Sequence, residues 1–161
     1  MSIDPLLQLL SQKARYTDQE LANLLRMDAA AVADQVAKWE EDGTILGYSA
    51  VINGEQAGYT QVAAFIEVKL TPERGGGFDR LAMRIARFDQ VEACYLMSGG
   101  YDLHVTVLGA NLREVARFVS EKLSSQDGVL STVTHFKLKT YKENGFLFEQ
   151  EETEGRLVVS P

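Results

Sequence analysis

The sequence predicts an α+β protein, in which an N-terminal three-helix helix-turn-helix domain is followed by a ferredoxin-like βαββαβ domain. Two observations carry this prediction. Apolar residues recur at helical spacing up to about Glu41, and after about Gln61 they alternate as in strands, with helical stripes between. The 161 residues suit two small domains. The expected boundaries give residues 1–46 to the first domain, 47–60 to a linker strand and hinge, 61–142 to the second domain and 143–161 to an acidic tail.

The first two helices are short, and each has its own start signal. Pro5 stands at a helix-opening position, and leucines at helical spacing follow it to about Lys13. Thr17 and Glu20 form a capping box, in which each side chain accepts a hydrogen bond from the other residue's backbone amide. The expected buried stripes are Leu6, Leu9 and Leu10 in the first helix and Leu21, Leu24 and Leu25 in the second.

A third helix follows after only a few residues. Asp28 is placed to cap its first turn, Gly43 is placed to end it, and Val32, Val36 and Trp39 recur on one face. The tight break between the second and third helices is typical of a helix-turn-helix, whose third helix can lie in the major groove of DNA. A small helical bundle that only dimerises has the same spacing, so periodicity alone leaves both interpretations open.

Residues 47–60 are expected to form the linker. Glycines surround a β-prone stretch over residues 48–52, and Asn53 with Gly54 is a turn signal. This pattern predicts a strand that leaves the first domain.

The second domain is expected to run in the order strand, helix, strand, strand, helix, strand. Alternation from Val62 to Leu70 predicts a strand with one face on a core, and Asn111 gives a cap pattern for the second helix. This order is typical of the ferredoxin-like arrangement, in which both helices cover one side of an antiparallel sheet. The six elements are expected over residues 62–70, 78–88, 91–97, 101–108, 112–123 and 134–141.

The other side of this sheet has no helix to cover it. A second copy of the same domain is the simplest cover, so we expect a symmetric homodimer. Ala63 and Phe65 alternate with the predicted core residues of the first strand, which places them in that interface.

Composition excludes several classes of protein. The sequence has no apolar run close to the ~18 residues of a membrane span and no secretory signal at its start, which predicts a cytoplasmic protein without membrane contact. One cysteine, Cys94, can form neither an internal disulfide nor a structural zinc site, and no cofactor or metal is expected. No catalytic motif is present, and His104 and His135 lie far apart on predicted strands, so an enzyme is not expected.

The loop over residues 98–103 has the chemistry to hold a small zwitterion. Its glycines bring backbone amides close to a ligand carboxylate, and Tyr101 and Asp102 add a hydroxyl and a carboxylate that can accept from an ammonium group. An amino acid carries both groups. The alternative is a hairpin turn in which a glycine supplies positive φ and Asp102 caps the turn, and chemistry alone favours this alternative.

Four segments in this order resemble the Lrp/AsnC family of feast/famine transcription regulators. They are residues 17–22, 39–48, 98–103 and 128–132, and the resemblance extends from about Leu6 to about Tyr141. It implies an N-terminal helix-turn-helix that binds double-stranded DNA and a C-terminal domain that forms dimers, which assemble further, commonly to octamers. It also implies that an amino-acid effector binds between dimers. By position, the implied effector-binding residues are Gly100, Tyr101, Asp102, Ser131, Thr132 and Thr134.

The helix-turn-helix departs from the family pattern where DNA should be contacted. The third helix opens with Asp28 and carries Asp34 in its middle, where relatives usually have serine and arginines, and the whole chain has a net charge of −7. An acidic module should bind DNA weakly and with a shallow salt dependence. The expected base contacts are Ala29, Ala30, Ala31 and Gln35, and the expected phosphate contacts are Arg15, Arg26 and Lys38.

Two other functions stay open at this point. The acidic first domain fits a metabolite-sensing oligomer that has lost DNA binding. The two-domain layout also resembles siroheme decarboxylases, although only His104 and His135 are available as histidines for a tetrapyrrole pocket.

Overall fold

The structure of the protein, a computed structural model, describes residues 3–72 and 77–148. The chain divides into two compact units between Val51 and Ile52. The first unit is helical and the second combines a sheet with helices, so the predicted α+β class is confirmed. The predicted acidic tail lies outside the described residues from position 149 onward.

The first unit contains the helices α1 (Pro5–Gln12), α2 (Asp18–Leu25) and α3 (Ala29–Glu41). The predicted caps of α2 and α3 are present, since the side chains of Thr17 and Asp28 accept hydrogen bonds from backbone amides of the first turns. Pro5 opens α1 as predicted, and Asp4, which was not predicted as a cap, accepts from the Leu6 amide. Arg26, in the left-handed conformation with φ 56°, ends α2, and Gly43 follows α3 with φ 78°. These stop signals hold the break between α2 and α3 to a few residues.

The core of the first unit forms where the three helices meet. One predicted core residue, Leu24, is instead 57% exposed, because Ala22 takes the inward position on α2 beside Leu21. Tyr16, Leu25, Val36, Trp39 and Ile45 pack around a fully buried centre. That centre consists of Leu6, Leu10, Leu21, Ala22 and Val32.

The predicted linker strand is not formed. Residues 46–53 have no regular secondary structure, and none of them pairs with a strand of the described chain, so the backbone bonds that define a strand are missing. Asn53 does not begin a turn; its side chain caps the one-turn helix α4 (Gly54–Ala57) by accepting from the Gln56 amide.

The second unit contains a four-stranded antiparallel sheet in the order β2-β3-β1-β4. The strands are β1 (Val62–Leu70), β2 (Val91–Leu96), β3 (Leu103–Gly109) and β4 (Val129–Phe136). Helix α5 (Asp79–Ala86) joins β1 to β2. Helix α6 (Leu112–Arg117), continued by a π-helical segment (Phe118–Leu123), joins β3 to β4. This order is the predicted ferredoxin-like arrangement.

The helix side of the sheet carries the core of the second unit. Ile66, Val68, Val105 and Val107 point from β1 and β3 toward α5 and the π-helical segment, whose buried residues include Ile85, Phe118 and Leu123. In a π-helical turn, residues five apart approach the same face, so Phe118 and Leu123 can both face the sheet.

The last strand lies earlier than predicted. β4 ends at Phe136, whereas the alternation from Thr134 onward predicted a strand over residues 134–141, and Leu138 is 95% exposed. The residues of β4 on the helix side include Thr132 and Thr134, and these polar side chains weaken the apolar signal at its start. A short hairpin follows, with β5 (Lys142–Glu143) and β6 (Phe146–Leu147) joined by Asn144 and Gly145, both at positive φ.

Both edge strands are irregular. In β2 the register with β3 shifts between Val91 and Ala93, so that exposed Glu92 is an extra residue, a β-bulge. The pairing of β1 with β4 shifts between Lys69 and Leu70.

Gly109, at the end of β3, packs closely on the start of α6. A Cβ atom at Gly109 would lie 2.9 Å from Cγ2 of Val115 and 3.4 Å from its backbone nitrogen. Val115 is fully buried and β-branched, so its side chain has no alternative position.

We expect Gly109→Ala to lower the free energy of unfolding of the second unit by about 1–3 kcal/mol, because the added methyl group overpacks this contact. Gly100→Ala is the matched control, since a Cβ atom there meets nothing within 4 Å. Urea unfolding followed by circular dichroism measures both. Equal stability of the two variants would show that Val115 moves aside at no cost.

Candidate functional site

The first candidate surface is the side of α3 that faces away from Val32, called here the outer face of α3. It is exposed from the first turn of the helix to the last. It begins with small side chains and carries two carboxylates against one ammonium group. Its residues are Ala30, Ala31, Asp34, Ala37, Lys38 and Glu41.

Two of the predicted base contacts lie off the outer face. Ala29 is half-buried and packs against the core of the first unit, so its methyl group is directed away from the outer face. Gln35 is half-buried at the margin of the outer face. Ala30 and Ala31 remain as the exposed small residues of the first turn.

The predicted phosphate contacts are all exposed. Arg15 lies between α1 and α2, Arg26 lies in the turn between α2 and α3, and Lys38 lies on the outer face of α3. They come from three successive parts of the helix-turn-helix.

Several carboxylates of the first unit accept hydrogen bonds at the ends of its helices. Oε2 of Glu20 accepts from the amide and the hydroxyl of Thr17 at 2.8 and 3.1 Å, and these bonds hold the pKa of Glu20 below its usual value. Hydrogen bonds from Thr44 likewise lower the pKa of Asp42, whose Oδ1 lies 2.9 Å from the Thr44 amide nitrogen. Both carboxylates therefore stay ionised at neutral pH.

The second candidate site is the loop between β2 and β3, called here the sensor loop and comprising residues 97–102. A backbone bond fastens it to the end of β1, since the Asp102 amide donates to Val68 at 3.0 Å, and a second bond closes the loop from the Met97 amide to the Asp102 carbonyl at 2.8 Å. Within the loop, Gly99 has φ 122°, a conformation that favours glycine.

The Asp102 carboxylate has a role in the fold. Its Oδ2 accepts from the backbone amide of Leu70 at 2.7 Å, at the point where the pairing of β1 with β4 changes register. This bond links positions far apart in sequence and satisfies an amide of a buried residue. The geometry favours a structural role for this oxygen, although it binds the end of β1 rather than capping the hairpin turn as the turn interpretation expected.

Of the six predicted effector residues, three lie in the sensor loop, and the three on β4 fall on two sides of the sheet. Ser131 pairs with Lys69 on the side opposite to the helices, whereas Thr132 and Thr134 pair with Val68 and Ile66 on the helix side. The Thr132 hydroxyl lies 3.3 Å from that of Ser124, at the end of the π-helical segment. Ser131 is therefore separated from Thr132 and Thr134 by the sheet itself, although the sensor loop and the start of β4 both adjoin the end of β1.

The side of the sheet opposite to the helices, called here the open face, carries an aromatic cluster. His104 lies at its centre, with its ring centroid 5.5 Å from that of Phe65 and 6.4 Å from those of Tyr95 and Tyr101. Nearby on β4, Nε2 of His135 lies 3.2 Å from Oε1 of the Glu67 carboxylate on β1. Both histidines of the chain thus lie on the open face.

Sequence reasoning missed this cluster. It placed Phe65 in an interface and His104 on a predicted strand, without bringing the two rings together. The alternation along β1 and β3 could have indicated that Phe65 and His104 face the same side of the sheet. Whether their rings meet depends on the register of the two strands, which the alternation does not give.

Cys94 lies on the helix side, half-buried against the core, and burial raises the pKa of its thiol. Residues 3–72 and 77–148 hold no group of three or more histidine, cysteine, aspartate or glutamate side chains placed to bind a metal ion. No helix among them is long and apolar enough to span a membrane.

The fold and the two candidate sites define a helix-turn-helix regulator with a separate ferredoxin-like domain. Comparison with known proteins agrees: residues 63–147 match the Lrp/AsnC ligand binding domain. An uncharacterized HTH-type transcriptional regulator of Bacillus subtilis, YugG, is 45% identical over 97% of this chain and 95% of its own length. The chain belongs to the Lrp/AsnC family of transcriptional regulators.

More distant relatives extend the comparison. A proline dehydrogenase transcriptional activator of Rhizobium radiobacter is 27% identical over 87% of this chain and 89% of its own. The Mycobacterium tuberculosis leucine response regulatory protein LrpA superposes with a TM-score of 0.69 at 27% identity, covering 86% of this chain and 92% of that one. A Neisseria meningitidis regulator solved as an L-Met complex has the same fold, with a TM-score of 0.66 at 22% identity over 88% and 94% of the chains.

We expect Asp102→Ala to destabilise the second unit by about 1–3 kcal/mol without any effector present, because the Leu70 amide loses its acceptor. Asp102→Asn keeps an acceptor oxygen and should recover most of the loss. Thermal unfolding of the three proteins in amino-acid-free buffer measures this difference. Wild-type stability of Asp102→Ala would exclude the structural role.

Proposed function

We propose that the protein is a sequence-specific DNA-binding transcription regulator whose activity responds to an amino acid or a similar small metabolite. The observation that carries the proposal is the outer face of α3, which is exposed along its length and opens with Ala30 and Ala31. Small side chains in the first turn allow a helix to come close to the floor of a major groove.

In this proposal the DNA contacts divide by chemistry. Arg15, Arg26 and Lys38 bind phosphates and position the helix-turn-helix, whereas Ala30 and Ala31 contact thymine methyl groups and Gln35 reads adenine. The acidic side chains reduce the affinity of one unit, and several units on one oligomer compensate through avidity.

The effector site is proposed at the sensor loop. The backbone amides beside Gly100 suit a carboxylate, and the hydroxyls of Tyr101 and Ser131 suit an ammonium group. Asp102 holds the loop through Leu70, while Thr132 and Thr134 lie on the helix side, so we assign the direct contacts to Gly100, Tyr101 and Ser131. Effector binding there is coupled to DNA binding, and the coupling acts equally in both directions.

A second copy of the chain is proposed to cover the open face. Within the described chain its aromatic cluster is only partly covered, and exposed Tyr95 and Val133 extend the apolar surface. Two sheets packed face to face would bury these side chains in a symmetric dimer. Dimers are further proposed to assemble to an octamer, as the family resemblance implies.

One alternative retains a specific observation in its favour. A metabolite-sensing oligomer without DNA binding would fit the two carboxylates on the outer face of α3. The decarboxylase alternative does not gain support, because His104 is packed among aromatic rings and His135 lies beside Glu67.

DNA binding is tested by titrating salt against a duplex from the region upstream of the protein's own gene. Arg26→Ala and Lys38→Ala should each lower the slope of log affinity against log salt by about 1, because each removes a phosphate contact. Lys142→Ala, an exposed lysine of β5 in the second unit, is the control and should leave the slope unchanged. Amino-acid binding without any DNA binding at low salt would favour the sensing oligomer instead.

The proposed dimer is tested by introducing a charged side chain on the open face and measuring the oligomeric state. Val133 is 50% exposed on the open face, so Val133→Glu should abolish dimers by placing a carboxylate from each copy in the interface. Met83→Glu on α5, where the side chain is 57% exposed, is the matched control. Sedimentation equilibrium should find monomers for the first variant only. Monomers for both variants, or for neither, would contradict the proposed interface.

A further inference from the structure

Asp34 occupies the middle of the outer face of α3. Ala30 and Ala31 lie one turn before it and Ala37 lies one turn after it, all exposed. Methyl groups therefore surround the carboxylate on three sides. If α3 enters a groove by this face, Asp34 meets the base edges, because the alanines hold the helix close and an aspartate side chain is too short to turn back to the phosphates.

The part of the fold that the structure describes makes no use of the Asp34 carboxylate. Within residues 3–72 and 77–148, no hydrogen bond or ion pair involves the Asp34 side chain. Three other acidic residues of the first unit do have such bonds: Asp28 caps α3, Glu20 accepts from the Thr17 amide in the capping box of α2, and Asp42 accepts from Thr44. Among the described residues, Asp34 thus opposes phosphate binding without a hydrogen bond or ion pair that offsets this cost.

The chemistry of a carboxylate limits what it can read. An ionised carboxylate only accepts hydrogen bonds, and the major groove offers donors only at the amino groups of cytosine and adenine. On adenine the amino group lies beside the acceptor N7, which repels the carboxylate. Guanine and thymine present acceptors at their edges. Cytosine is therefore the base that suits Asp34 best.

We propose that Asp34 is a specificity-determining residue that accepts a hydrogen bond from the N4 amino group of a cytosine and rejects other bases by repulsion. This inference rests on the proposed DNA-binding function and deepens it. Asp34 lowers affinity for DNA in general and gains discrimination at one base pair, as expected when specificity is achieved by penalising wrong partners.

The experiment selects binding sites from a randomised duplex library with the wild-type protein, Asp34→Ala and Glu41→Ala. Each variant removes one carboxylate from the outer face, so the two are matched in charge. Affinities are then measured for the selected site and for its single-pair variants. We expect wild type and Glu41→Ala to prefer cytosine at one position by about tenfold, and Asp34→Ala to prefer it by less than about twofold.

The outcomes separate this inference from the proposed function. An unchanged consensus for Asp34→Ala, or an equal loss of preference in Glu41→Ala, overturns the inference and leaves DNA binding standing. A single position that loses its cytosine only in Asp34→Ala supports it. Absence of binding by all three proteins overturns both, provided that circular dichroism shows the helices intact.

Discussion

The arrangement of the second unit depends on β1, which is hydrogen-bonded to β3 on one side and to β4 on the other. Its residues alternate between two surfaces: Ile66 and Val68 enter the core, while Phe65 and Glu67 point to the open face. A slip of one residue would exchange these surfaces, so burial of the core residues also fixes where the aromatic cluster forms. The end of the same strand anchors the sensor loop.

Most of the fold could be predicted from signals that are local in the sequence. The Thr17 and Glu20 capping box, the left-handed glycine after α3 and the alternation along β1 each depend on residues close in sequence, and each predicted its element well. The family resemblance rested on motifs of the same kind. Where one local signal was weak, as at the polar start of β4, the predicted strand was displaced.

The details of the sites depend on distant contacts and could not be predicted in this way. The hydrogen bond from the Leu70 amide to the Asp102 carboxylate joins β1 to the sensor loop, and no residue pattern within either segment predicts it. The position of Ser131 on the side opposite to Thr132 follows only from the true extent of β4. Ala29 appeared equivalent to Ala30 and Ala31, and only the packing of three helices directs it inward.

The acidity of the helix-turn-helix is largely a consequence of its short helices. The starts of α1 and α3 are capped by the carboxylates of Asp4 and Asp28, and Glu20 completes the capping box of α2 by accepting from the Thr17 amide. Net charge over the first unit is therefore a poor measure of its capacity to contact DNA. The distribution of charge on the outer face of α3 is the relevant quantity, and there Asp34 and Glu41 stand against Lys38.

The bulge in β2 has a consequence for how copies of the chain can meet. A regular edge strand has unpaired backbone N–H and C=O groups that can pair with a strand of another chain. Proteins commonly prevent such pairing with a β-bulge or a charged side chain on the edge strand. Glu92 supplies both, near the start of β2. Addition of a further strand at this edge of the sheet is therefore disfavoured. The proposed stacking of two open faces does not use this edge and gives a closed assembly of finite size.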